Sequence, residues 1–89
     1  EKWSREIQTE LENLSGLVLI EGRFEVGHRG TLVLVQHFSS SPHRVDFVVE
    51  VPPTSTLNWR NGAKLNVFGV VTRPLDKDGE IVVAPIAIY

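Results

Sequence analysis

The chain has 89 residues, a net charge of −2 and no cysteine. Its length corresponds to one small domain, and its 42% hydrophobic and 22% charged residues are typical of globular rather than disordered chains. The charge excludes a global basic surface for nucleic-acid phosphates, and the lack of cysteine excludes disulfides and thiolate metal sites.

No apolar run approaches the roughly 20 residues that span a bilayer, so we expect no membrane insertion by this chain. There is no methionine, even at position 1, and we expect the chain to be an excised domain or mature fragment of a larger protein. The sequence indicates no cellular compartment.

An amphipathic helix is predicted for residues 3–14. Its apolar residues recur at spacings of four, four and three and form one stripe: Trp3, Ile7, Leu11 and Leu14. Gly16 suits the position just beyond the end of such a helix, where a positive φ is favourable. Because the stripe is narrow, we expect the helix to lie on the surface of the domain.

The first three predicted strands cover residues 17–26, 31–38 and 44–51. Gly22 marks a place where the long first strand can bend, because a glycine leaves room for a curving backbone. The third strand has the clearest alternation, and one face carries four apolar residues: Val45, Phe47, Val49 and Val51. Two prolines then end it, since neither can donate a hydrogen bond to a sheet.

The last two predicted strands cover residues 63–73 and 80–89. Residues of one face of the fourth strand alternate as Leu65, Val67, Gly69 and Val71. The pair Asp78-Gly79 suits a two-residue hairpin turn between them, and Pro85 predicts a sheet edge or a bulge in the fifth strand.

The runs Lys64-Leu-Asn-Val-Phe-Gly-Val-Val and Glu80-Ile-Val-Val-Ala-Pro-Ile-Ala-Ile resemble the closing hairpin common in OB-fold domains. The resemblance implies an all-β fold, a small five-stranded Greek-key OB-like barrel with an added N-terminal α-helix. We expect a single domain over residues 1–89, with the helix in residues 1–15 and the barrel in residues 16–89. The sequence lacks a clear helix between the third and fourth strands, which keeps a Src-homology-type small barrel as the alternative.

The OB resemblance implies a ligand surface on the second and third strands and their flanking loops. The candidate binding residues are Arg29, Val33, Val35, Phe38, Arg44, Trp59 and Arg60. The arginines are candidate phosphate contacts, and Phe38 and Trp59 are candidate stacking platforms. The alternative for Trp59 is that it plugs the open end of the barrel.

Two strands are apolar on both faces, more than a small barrel needs. In the first strand, we expect an inward set of Val18, Ile20, Phe24 and Val26, with Leu17 and Leu19 outside. In the second, Leu32 and Leu34 are expected inside, which leaves Val33 and Val35 outside. We expect the helix stripe to cover part of this outer surface and the remainder to be a protein contact.

The surplus apolar surface and the acidic balance favour a non-enzymatic binding module that mediates protein–protein assembly within a larger protein or complex. The alternative is a single-stranded DNA- or RNA-binding domain. Four carboxylates near the candidate arginines argue against it, since they would repel phosphate: Glu21, Glu25, Asp46 and Glu50. We predict no catalytic residues and no cofactor, because the sequence contains no recognisable catalytic motif. We also predict no metal site, because the spacings of His28, His37 and His43 match no standard ligand set.

Overall fold

The computed structural model describes residues 3–26, 32–37, 44–50 and 60–89. One helix, α1, covers Arg5–Glu12. Five strands follow: β1 (Gly16–Val26), β2 (Leu32–His37), β3 (Arg44–Val49), β4 (Lys64–Arg73) and β5 (Glu80–Ile88). The predicted order of one helix and five strands is therefore confirmed, with ends that shift by one or two residues.

The strands close into a barrel in the order β1-β2-β3-β5-β4. All neighbours are antiparallel except β3 and β5, which run parallel from the Asp46–Glu80 pair to the Val49–Val83 pair. Closure removes the open edges that make an isolated sheet prone to pair with other chains. This arrangement confirms the all-β barrel and is consistent with an OB-like fold.

Alternating residues of every strand fill the barrel interior. The buried cluster consists of Ile20, Phe24, Leu32, Leu34, Val45, Phe47, Val49, Leu65, Val67, Ile81 and Val83. The predicted alternation of β3 and β4 is confirmed in the described residues, and the shared faces point inward, since Val45, Phe47, Val49, Leu65 and Val67 are buried. Within the described residues, no polar or charged side chain is buried, so apolar packing dominates the core.

The helix begins at a capped N-terminus and packs against the core of the barrel. The Ile7 amide donates a hydrogen bond to Ser4 Oγ at 3.2 Å, which satisfies one of the free N–H groups of the first turn. The stripe of Trp3, Ile7, Leu11 and Leu14 is partly buried against the core cluster. The Leu75 amide also donates to the Leu11 carbonyl at 3.1 Å and ties the helix to the chain between β4 and β5.

The stripe therefore does not cover the outer leucines of β1, and for β1 that expectation is wrong. Leu17 and Leu19 remain exposed, each by 64%. The stripe instead extends the core, since its residues pack against the buried cluster, as Val18 and Leu75 also do. Gly16 has the expected positive φ of 76°, but it begins β1, because the helix ends earlier, at Glu12 with Asn13 as its C-cap.

Strand β1 changes partners near Gly22. Residues 16–23 pair with β4, and residues 23–26 pair with β2. A Cβ on Gly22 would lie 3.0 Å from the Val35 carbonyl oxygen, so the close approach of β2 favours glycine there. The inward placement of Val26 is wrong: it is 61% exposed, although its partner on β2, Leu32, is fully buried.

The turn between β4 and β5 is one residue longer than predicted. The Asp76 amide donates a hydrogen bond to the Glu80 carbonyl at 3.1 Å, and three residues lie between these two. Gly79 has a φ of 78°, as the last position of a three-residue hairpin loop requires. The bulge predicted at Pro85 is confirmed. Phe68 pairs with Ala87 and the next residue, Gly69, pairs with Pro85, so Ile86 has no partner on β4 and forms the bulge.

Candidate functional site

The structure places only part of the predicted binding set. Three of its residues lie outside the described residues, so their proposed roles stay predictions: Arg29, Phe38 and Trp59. Arg60 is exposed just before β4, where its carbonyl accepts a hydrogen bond from the Ala63 amide at 3.0 Å. Val33, Val35 and Arg44 are described and lie on β2 and β3.

The exposure expected of Val33 and Val35 is wrong. Both lie outside the core cluster, as their position on the outer face predicts, yet they are only 7% and 3% exposed. Their cross-strand neighbours on β1 are Glu25 and Arg23, whose aliphatic stems are long enough to cover a valine. The outer face of β2 therefore presents no apolar strip to a partner.

Arg44 is engaged by two carboxylates at the start of β3. Its Nε donates to Asp46 Oδ1 at 2.9 Å, and one terminal nitrogen donates to Glu25 Oε2 at 3.1 Å. The hydrogen bond to Asp46 is the main cause that raises the pKa of Arg44 above its ordinary value. The two negative charges exceed the one positive charge of Arg44, which reduces its attraction for a phosphate.

A continuous apolar surface lies instead on the outer side of β1, β4 and β5. Residues directly opposite each other in neighbouring strands share a face of the sheet. The register places them in two rows across the three strands: Leu17, Val70 and Ala84 in the first row, and Leu19, Phe68 and Ala87 in the second. We call these six residues the apolar face.

Four of the six residues of the apolar face are exposed, and Phe68 and Ala84 are half-buried. Leu17 and Leu19 are each 64% exposed and Val70 is 37% exposed, although all three lie in regular strands. Ile86, in the bulge beside Ala87, and Tyr89, which pairs with Asn66, extend the exposed apolar surface along β5. Contiguous apolar surface of this kind is typical of contact sites with other macromolecules.

The outward position of Leu17 and Leu19 is the part of this surface that the sequence predicted correctly. The contributions of β4 and β5 were missed. The alternation of β4 already required Phe68 and Val70 to face outward once Val67 and Gly69 faced inward. What the sequence did not indicate was the register that brings them beside the leucines of β1.

Other kinds of site have little support in the described residues. In those parts of the chain, no group of three or more histidine, aspartate or glutamate side chains is placed to hold a metal ion. No described helix is both long and apolar enough to cross a bilayer. The chain matches no protein-family model and no curated protein sequence. The OB-like character therefore depends on the barrel topology, and the functional argument depends on the surface.

Proposed function

We propose that this chain is a non-enzymatic binding module that mediates protein–protein assembly within a larger protein or complex, and that the apolar face is its docking surface. The observation that carries the proposal is the pair of exposed leucines on β1 aligned with Phe68 and Val70 on β4. Strand residues are held in place by the barrel, so a partner meets a preformed surface and little ordering entropy is lost on binding.

The energetic argument favours the same face. Full burial of an exposed leucine stabilises an interface by roughly 1.5–3 kcal/mol. Leu17 and Leu19 are both about two-thirds exposed and lie two residues apart on one strand, so a single partner can cover both. Covering the pair contributes enough free energy to change an affinity by more than tenfold.

Single-stranded nucleic-acid binding stays the alternative function. Its predicted surface on β2 and β3 has lost one expected phosphate contact, because Arg44 is paired with Glu25 and Asp46. The burial of Val33 and Val35 removes the protein contact first expected on β2, so the assembly function now depends on the apolar face alone. The remaining candidates for nucleic-acid binding are Arg60 and the three residues outside the described part of the chain. We therefore place the assembly function first.

Photo-cross-linking in an extract of the source cells tests the proposal. A p-benzoylphenylalanine at position 17 probes the apolar face, and the same group at position 26 is the control, since Val26 is 61% exposed but lies away from that face. We expect a protein adduct of discrete mass from position 17 and none from position 26. Equal adducts from both positions, or no adduct from position 17, would contradict the docking surface.

A further inference from the structure

We propose that the partner of the apolar face is a second copy of this chain, packed face to face across a two-fold axis. This inference rests on the proposed function, because it names the occupant of the same surface. It comes from the charges at the two ends of the face and from the order of its apolar rows.

One end of the face carries an excess of positive charge. Arg23 and Lys64 are register partners on β1 and β4 beyond the apolar rows. Glu21 lies 3.5 Å from Lys64 Nζ, and Glu25, the next outward residue of β1 after Arg23, is paired with Arg44 at 3.1 Å. Among the described residues, Arg23 and Lys64 therefore accompany one carboxylate that Arg44 does not already pair.

The opposite end carries an excess of negative charge. Glu50 follows β3 and accepts a hydrogen bond from the Thr72 hydroxyl at 3.0 Å. Arg73, the next residue of β4, lies 3.0 Å from Asp76 and 3.8 Å from Glu80. With Lys77 and Asp78 of the turn that follows, four carboxylates accompany two cations at this end among the described residues. The apolar face therefore lies between two ends of opposite sign.

A two-fold axis that lies in the interface and crosses β4 at a right angle satisfies both features. It runs the two β4 strands antiparallel, so the basic end of each copy lies over the acidic end of the other, with Lys64 near Glu50 of its mate. If the axis passes between Phe68 and Val70, the two apolar rows exchange. Leu17 then meets Leu19, Val70 meets Phe68, and each contact occurs twice, as an isologous interface requires.

The charges also select against the other symmetric packing. An axis parallel to β4 would superpose the two basic ends and the two acidic ends, and like charges across an interface weaken association. Two sheets that pack face to face keep their strands within about 30° of alignment, which the antiparallel arrangement permits. The face spans three strands only, so we expect a reversible dimer that dissociates on dilution.

Sedimentation velocity from micromolar to millimolar concentration tests whether the second copy binds. The mass should rise toward that of a dimer with concentration, and Leu19→Lys should abolish the rise while Val26→Lys leaves it unchanged. A monomer at every concentration would overturn the second copy but leave the proposed function intact if the cross-link from position 17 is still formed with another protein. A dimer indifferent to Leu19→Lys would overturn the use of this face between copies.

A charge exchange tests the antiparallel arrangement. Lys64→Glu and Glu50→Lys should each weaken the dimer roughly tenfold, and the double variant should restore it, because the two charges meet only across the interface. Thermal melts of the three variants control for effects on the fold, since Lys64 also pairs with Glu21 within its own barrel. Additive weakening in the double variant would overturn the proposed axis.

Discussion

Leu17 on β1 lies directly opposite Val70 on β4, and both side chains are exposed on the outside of the barrel. Cross-strand apolar pairs normally stabilise a sheet when they are covered by another layer. Here the apolar stripe of the helix packs against the core cluster and leaves this pair exposed. The position of one helix therefore determines which apolar surface the barrel presents.

The helix makes the first testable contribution to stability. Trp3 is partly buried against the core. Replacing a fully buried tryptophan with alanine lowers the free energy of unfolding by about 3–5 kcal/mol. We expect Trp3→Ala to lower the free energy of unfolding by roughly 2–3 kcal/mol, which for a domain of this size lowers the melting temperature by roughly 10–20 °C. Thermal melts measured beside Leu17→Ala, an exposed control, check the difference.

The contrary outcome for Trp3 is also informative. An unchanged melting temperature together with weaker association would mean that the helix docks on a partner in solution. That result would contradict its packing against the core.

Asp76 gives a pH-dependent prediction. The Glu80 amide donates to Asp76 Oδ1 at 3.1 Å, and this hydrogen bond is the main cause that lowers the pKa of Asp76 below its ordinary value of 3.8. Because folding lowers this pKa, the carboxylate stabilises the fold above pH 3.8, and the contribution is lost as the pH falls through the folded value.

Urea unfolding at two pH values measures that contribution. Asp76→Ala should reduce the free energy of unfolding by about 1 kcal/mol at neutral pH, since it removes the acceptor of two backbone hydrogen bonds at the turn. The gap from the unaltered chain should narrow as the pH drops below 3.8. Asp78→Ala, on the same turn, is the control. A gap that is constant with pH would contradict the role of the ionised carboxylate.

Oligonucleotide binding distinguishes the alternative function. We expect fluorescence anisotropy of a labelled single strand to show no tight binding at low salt, since Arg44 is balanced by Glu25 and Asp46. Binding that weakens steeply as salt rises would indicate phosphate contacts and favour the nucleic-acid function. In that case Arg44→Ala and Arg60→Ala would identify whether β3 or the segment before β4 carries the contact.

The sequence predicted local features better than long-range ones. The alternation of β3 and β4 was sufficient for their inward faces, because side chains alternate along any strand. The alternation failed at Val26, which has the inward position but is 61% exposed beside the fully buried Leu32. The apolar face required the register among β1, β4 and β5, and register is set by non-local pairing that no single strand reveals. For the same reason the helix stripe indicated a buried side but not what it would pack against.

The docking surface is tested most directly by one variant measured in two ways. Leu19→Lys should leave the melting temperature within a few degrees of the unaltered chain, since the side chain is 64% exposed and surface substitutions rarely cost more than about 0.5 kcal/mol. The same variant should abolish the adduct formed by p-benzoylphenylalanine at position 17, while Val26→Lys should preserve it. A folded Leu19→Lys protein that forms the adduct in full yield would contradict the assembly function assigned to the apolar face.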